Sequence, residues 1–140
     1  MARIKIEFPE KVVFQTQLDI RITDLNFAGH VGNDKFMSLV HEARAQFFKA
    51  HGWSELNVEG VGIALADTAI VFKRELFYGD SLLVELMLGG FSPVGCDIFY
   101  RLIHVDSGRE AAHAKTAIVF FNYSERKIAP MPAAFGDRFM

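Results

Sequence analysis

Between Val13 and Ile22 the chain alternates. Phe14, Thr16, Leu18, Ile20 and Ile22 point one way, and Gln15, Gln17, Asp19 and Arg21 point the other. A period of two predicts a strand buried on one face. Residues 23–32 break the alternation with Gly29 and Gly32 and read as a loop. From Asn33 to Ala50 the period changes. Phe36, Val40, Ala43 and Phe47 recur at steps of three and four, and Met37, Leu39 and Phe48 widen them into a broad apolar stripe. That spacing predicts a helix with one buried face. Asn33 is the expected N-cap, Asp34 suits the positive first turn, and Gly52 is the expected stop.

The rest of the chain is strand-rich. Trp53 to Gly62 reads as a connection. Ala64 to Phe77 is a long run closed by Tyr78-Gly79-Asp80, and Leu82 to Leu88 ends at Gly89-Gly90-Phe91-Ser92-Pro93. Cys96 to Val105 ends at Asp106-Ser107-Gly108, and Glu110 to Tyr123 precedes a tail with Pro130 and Pro132. Runs separated by turns in this way predict consecutive antiparallel hairpins. The expected order is therefore strand, one long helix, then four strands, a two-layer α+β arrangement in one domain spanning residues 1–140. The last strand is apolar on both faces, because Ile118 and Phe120 alternate with Val119 and Phe121. One face can pack on the helix. The other, or the sheet edge, is expected to meet a second subunit.

Composition narrows the function. Hydrophobic residues make up 51% of the chain, with 14 Phe, enough for a core and for an apolar surface to spare. A net charge of −2 argues against a nucleic-acid partner. The single Cys96 rules out an intrachain disulfide and disfavours a Cys-based metal site. No apolar run reaches the length of a bilayer span. The first residues carry Glu7 and Pro9 and do not read as a secretory signal, so a cytoplasmic location is expected.

Chemistry concentrates at the junction of the first strand and the helix. Thr23-Asp24-Leu25-Asn26-Phe27-Ala28-Gly29-His30-Val31-Gly32-Asn33 is followed by Glu42-Ala43-Arg44, and a later run ends in Tyr78-Gly79-Asp80. This ordered set resembles the acyl-CoA thioesterases of the hotdog fold, in the branch of the 4-hydroxybenzoyl-CoA thioesterase-like proteins. The matched positions are Asp24, Leu25, Gly29, His30, Val31, Asn33, Phe36, Glu42, Arg44, Gly79 and Asp80. The resemblance runs from about residue 12 to residue 123. It implies a long central helix wrapped by a curved antiparallel sheet of five to six strands. It also implies a dimer or dimer of dimers with sites at the subunit interface, and thioester hydrolysis without metal or organic cofactor. The chain departs from the pattern at two positions. Asn26 stands where much of the family has a catalytic Asp, and Gly32 replaces the first Asn of a common His-Val-Asn-Asn.

Thioester hydrolysis needs an activated water and a place for the oxyanion. Backbone N–H groups at Gly32 and Asn33 are candidates for the second, with ordinary helix capping as the alternative. Asp24 is a candidate base, or a residue that bonds its own turn. Asn26 is expected to orient water or the carbonyl. His30 is a candidate for orienting the carbonyl or for acid–base work, or else a hydrogen bond across the loop. Glu42 borders the apolar stripe and is the second candidate base. Phe36 is expected to line the acyl channel. Lys73 and Arg74, with Arg126 and Lys127, are candidates for the phosphates of CoA, or simply solvated charge. Asp67 is a weaker acid candidate, on a strand that would otherwise point it outward. The competing function is a hotdog protein that binds an acyl-CoA or acyl-carrier protein without turnover, which Asn26 favours.

Overall fold

The computed structural model describes residues 1–140. One antiparallel sheet is built from β1 (Val12–Asp19), β2 (Gly62–Phe72), β3 (Ser81–Ser92), β4 (Gly95–His104), β5 (Glu110–Asn122) and β6 (Lys127–Ile128). Its order is β1-β3-β4-β5-β2, with β6 pairing to β5. The long helix α1 (Asn33–Ala50) lies on one face, and a short helix α2 (Ala133–Phe139) follows the sheet. The α+β expectation and the wrapped central helix of the hotdog fold are both borne out. No helix is long and apolar enough to cross a membrane.

The alternation in β1 holds through Ile20, which is buried, and then fails, because Ile22 is 65% exposed. The predicted strand ends early for a local reason. The Asp24 carboxylate folds back to accept the Arg21 N–H at 2.8 Å, and a short 3-10 turn forms over Ile22–Asp24. The helix has the expected span, but its N-cap is Gly32, and Asn33 is the first helical residue. It ends in a Schellman motif. The Trp53 N–H donates to the Phe48 carbonyl at 2.9 Å and the Gly52 N–H to Lys49 at 3.0 Å, with Gly52 at φ +78°.

Three further expectations needed correction. β2 stops at Phe72, not Phe77, because the N–H groups of Lys73 and Arg74 both turn to the Ala111 carbonyl. β3 runs on through Gly89 and Gly90 to Ser92, since its ladder with β4 continues past an irregularity there. The tail is not featureless. Ala129 bonds back to Phe120, and α2 buries Phe135 among Phe120, Trp53 and Phe139, with ring centroids 5.0–6.4 Å apart.

The core lies between α1 and the concave side of the sheet. It takes Phe36, Leu39, Val40, Ala43, Phe47 and Phe48 from the helix. Leu82, Val84, Leu86, Ile98, Tyr100, Leu102, Ala112, Ala114, Ile118 and Phe120 face them from the sheet. β2 is the exception. Opposite the inward residues of β5 stand Leu65, Thr68, Ile70 and Phe72, paired with Ile118, Thr116, Ala114 and Ala112. Of these, Leu65 is 46% and Phe72 41% exposed. A bulge between Leu65 and Asp67 turns this strand, and because β2 ends the strand order its outer edge pairs with no other strand.

If α2 is an integral part of the core, Phe135→Ala should cost about 3–5 kcal/mol in equilibrium urea unfolding. A loss below about 1 kcal/mol would mean that the helix is not docked. Cys96 is buried on β4, and desolvation, followed by the nearby Asp97 charge, pushes its thiol up to about 12. Native protein at pH 8 should therefore not react with a disulfide reagent, and one thiol should appear on unfolding. Rapid native labelling would contradict this burial.

Candidate functional site: a groove between the helix and the free strand

The candidate residues separate onto two sides of α1. On the β1 side, Asp24 and Glu42 line one hollow with Leu18, Arg21, Ser38 and Gln46. Asp24 is 3% exposed. Its carboxylate accepts the Arg21 N–H, and the Arg21 guanidinium lies 3.5 Å away. It is thus occupied with closing its own turn, the alternative reading of the sequence. Glu42 is exposed and accepts a hydrogen bond from the Gln46 amide at 2.9 Å, an ordinary i, i+4 contact.

On the β2 side, His30, Val31, Asn33, Phe36, Phe72, Lys73, Arg74 and Glu75 line a hollow of about 250 Å³. The helix side of it is built by capping. The Gly32 N–H is spent on the Asp24 carbonyl at 3.3 Å, which removes it from the expected pair of oxyanion donors. The Asn33 N–H has no acceptor within the chain, and neither has that of Asp34, so the donors available at this helix start lie one residue further on. Gly32 still has a steric role. A Cβ there would come within 2.7 Å of the Asp34 carboxylate and 3.5 Å of the Asn26 Cβ.

Asn26 shapes the loop. Its Oδ1 accepts the Ala28 N–H at 3.0 Å, its own N–H donates to the His30 carbonyl at 2.8 Å, and its carbonyl accepts the Gly29 N–H. His30 is thereby presented at the groove mouth. Its Nδ1 lies 3.3 Å from the Val31 carbonyl oxygen and its Nε2 3.8 Å from the Glu75 carboxylate. A neutral ring that donates from Nδ1 to Val31 keeps its Nε2 lone pair towards Glu75 and the hollow. Phe36 and Phe72 close the apolar wall edge to face, with centroids 5.2 Å apart. Lys73 and Arg74 stand at the rim, and Arg74 also donates to the Ser107 hydroxyl at 3.3 Å.

Further along the same groove a second hollow, of about 230 Å³, is lined by Met37, Ser38, Val40, His41, Arg44, Leu65, Thr68 and Thr116. Its strand residues continue down β2 from Phe72, and its helix residues continue up α1 from Phe36. Arg44 is 4% exposed. Its Nε donates to Glu55 at 2.8 Å and its Nη1 to the Tyr100 hydroxyl at 3.3 Å. Burial opposes its charge, but Tyr100 and Glu55 outweigh it and raise the guanidinium pKa. Burial likewise pushes the Tyr100 phenol up, so it stays protonated and lies 2.7 Å from Thr116 Oγ1.

Sequence reasoning missed Glu75 and the burial of Arg44. Glu75 carried no signal, being inside a stretch that read as strand. Arg44 did carry one, because it sits four residues after Val40 and three before Phe47, on the apolar stripe itself. Asp67 points outward and bonds Lys115 at 2.8 Å, which holds its carboxyl below the usual range.

A helix wrapped by one antiparallel sheet, with a groove running from the helix start along an open strand, defines a hotdog-fold protein. The family model of the thioesterase-like superfamily matches residues 20–139, and the chain belongs to that superfamily. It is a thioesterase by family. It is similar to a 1,4-dihydroxy-2-naphthoyl-CoA hydrolase of Synechocystis, 29% identical over 122 residues, covering 85% of this chain and 88% of that protein. The crystal structure of a 1,4-dihydroxy-2-naphthoyl-CoA thioesterase from Synechocystis superposes with a TM-score of 0.80 at 27% identity, over 88% of this chain and 92% of that one. A DHNA-CoA thioesterase from Staphylococcus aureus shares the fold, with a TM-score of 0.77 at 17% identity over 89% and 84% of the two chains.

The capping role of Asp24 has a direct consequence. Asp24→Ala should lower unfolding stability by about 1–2 kcal/mol, whereas Glu42→Ala should stay within about 0.5 kcal/mol of wild type. Denaturation of the two variants checks this, and equal losses would refute the assignment.

Proposed function

We propose that the protein hydrolyses an acyl-CoA thioester in the groove between α1 and β2. The observation that carries this reading is the meeting, in one hollow, of an unengaged helix-start N–H at Asn33, the His30 imidazole and the apolar pair Phe36 and Phe72. The thioester oxygen would accept from Asn33 and Asp34 N–H groups, where negative charge develops in the transition state. His30 Nε2 would take the proton of the attacking water, and Glu75 would stabilise the imidazolium. Asn26 would hold His30 in place through the loop. Lys73 and Arg74 at the rim suit the phosphates of CoA or of a carrier-protein arm.

Asp24 and Glu42 remain the other candidate bases. They fit only a thioester seated on the β1 side of α1. The unpaired edge of β2 and its half-exposed inner face favour a second copy of this chain as cover, giving a dimer or a dimer of dimers. The alternative function, acyl-CoA binding without turnover, draws on Asn26, whose amide is engaged in the loop where relatives of this pattern carry an acid.

Purified protein assayed against a panel of aryl and alkyl CoA thioesters should show hydrolysis above background. His30→Gln should lower kcat by about 10²- to 10⁴-fold, while Glu42→Gln leaves it within about threefold. Turnover that survives in His30→Gln but is lost in Glu42→Gln would move the site to the β1 side. Tight binding with no hydrolysis across the panel would establish the binding protein instead.

A further inference from the structure

Outside the groove, at the β4–β5 hairpin, a serine, a histidine and a carboxylate stand in a row. β4 ends at His104, β5 begins at Glu110, and Asp80 directly precedes β3. His104 is buried and Ser107 is exposed. His104 Nδ1 lies 2.7 Å from the Ser107 hydroxyl, and its Nε2 lies 3.2 Å from Asp80 Oδ1. The hydrogens along this row have one consistent arrangement. The Ser107 oxygen accepts from the Arg109 N–H at 3.2 Å and from Arg74 Nη1 at 3.3 Å, so its own hydrogen is left to donate to His104 Nδ1. The Ser107 N–H donates to the same nitrogen at 3.2 Å, which therefore carries no hydrogen. The ring proton is then on Nε2 and faces Asp80. Asp80 is itself held, since its Oδ2 accepts the Phe77 N–H at 2.8 Å. The turn does not depend on the hydroxyl. Backbone bonds close it, from the His104 N–H to the Arg109 carbonyl and from the Gly108 N–H to the His104 carbonyl, both at 2.8 Å.

We propose that Ser107 is a nucleophile, with His104 as its base and Asp80 as the positioning residue, at a site that takes the acyl group of an activated ester. An exposed hydroxyl bonded to a buried imidazole, itself oriented by a fixed carboxylate, is the arrangement that activates a serine. In the step, Ser107 Oγ bonds the ester carbonyl carbon and its proton passes to His104 Nδ1. The resulting imidazolium is stabilised by Asp80. The ester C–O bond then breaks, and the leaving alkoxide or phenolate takes the proton back from His104. Arg74 supplies a cation beside the oxygen that gains charge. Water releases the acyl group by the same steps. None of the three residues lines the groove between α1 and β2, so the proposal stands apart from the thioesterase reading.

A fluorophosphonate tests this, because it leaves a stable adduct: Ser107 Oγ bonds phosphorus, fluoride leaves and the proton goes to His104. Peptide mass spectrometry should find the adduct on Ser107, formed about 10²-fold faster in native protein than in urea-unfolded protein. His104→Gln should remove that advantage. Asp80→Asn, which can still accept the Phe77 N–H, should slow labelling at least about tenfold, and Asp80→Glu should restore part of it. Ser107→Cys covers the case in which His104→Gln does not fold. Its new thiol should react with iodoacetamide at pH 6 at least about tenfold faster in native than in unfolded protein, while buried Cys96 stays silent. No adduct, an adduct on another residue, labelling indifferent to His104→Gln and Asp80→Asn, or a Ser107→Cys thiol no faster in the native state overturns the proposal. Each of these readouts is a covalent adduct, so none depends on whether a thioester is hydrolysed in the groove.

Discussion

A single helix cannot cover this sheet. Five principal strands at about 4.8 Å spacing span roughly 19 Å, and a helix with its side chains is about 10 Å across. The sheet answers by curving, and α1 gives its buried stripe to β1, β3, β4 and β5. At the far end of α1, Phe135 and Phe139 from α2 fill the space beside Trp53 and Phe47. The deficit is left at β2, whose inward-pointing Leu65 and Phe72 stay 46% and 41% exposed, although Phe72 touches Phe36 of α1 edge to face. The groove is that deficit. It needs no special device, only a sheet wider than the helix it wraps.

A charged residue on the buried stripe works against this economy of apolar packing only if Arg44 is considered alone. Burying an unpaired guanidinium is prohibitive, but a guanidinium with Glu55 and Tyr100 attached is tolerable. The pairing also fixes a connection. Glu55 belongs to the segment between α1 and β2, whose Glu55 carbonyl accepts the Ile63 N–H at 2.8 Å. One buried charge therefore ties the helix, the connection and the sheet at the place where the groove ends.

Where the periods were clean, the sequence was readable. The helix from Asn33 to Ala50 kept its span because the stripe, the acidic first turn and Gly52 agree with one another. β1 was over-extended because Ile22 kept the alternation in composition, while Asp24 had already turned the backbone. β2 was over-extended for a similar reason: nothing in Lys73-Arg74-Glu75 reveals that two successive N–H groups share the Ala111 carbonyl. Helix α2 was hidden by Pro130 and Pro132, which read as breakers although Pro132 serves as the helix N-cap. Most candidate site residues were visible as residue types. Which side of α1 each would occupy was not, because that depends on the loop closing on itself through Asn26.

That loop also bears on the missing acid. An Asp at position 26 would accept the Ala28 N–H as readily as Asn26 does, so the turn does not demand the amide. The difference an acid would make is one of charge. Asn26 Cβ and the Asp34 carboxylate approach the same small space beside Gly32. A carboxylate at 26 would lie close to the Asp34 carboxylate at the helix start, and like charges so near raise each other's pKa and disfavour an oxyanion beside them. With an amide there, the positive helix end faces only one acid, and the Asn33 N–H keeps its pull on incoming negative charge. On the proposed reading, proton transfer would fall to a group outside that crowded corner, and His30 lies at the mouth with its Nε2 3.8 Å from the Glu75 carboxylate.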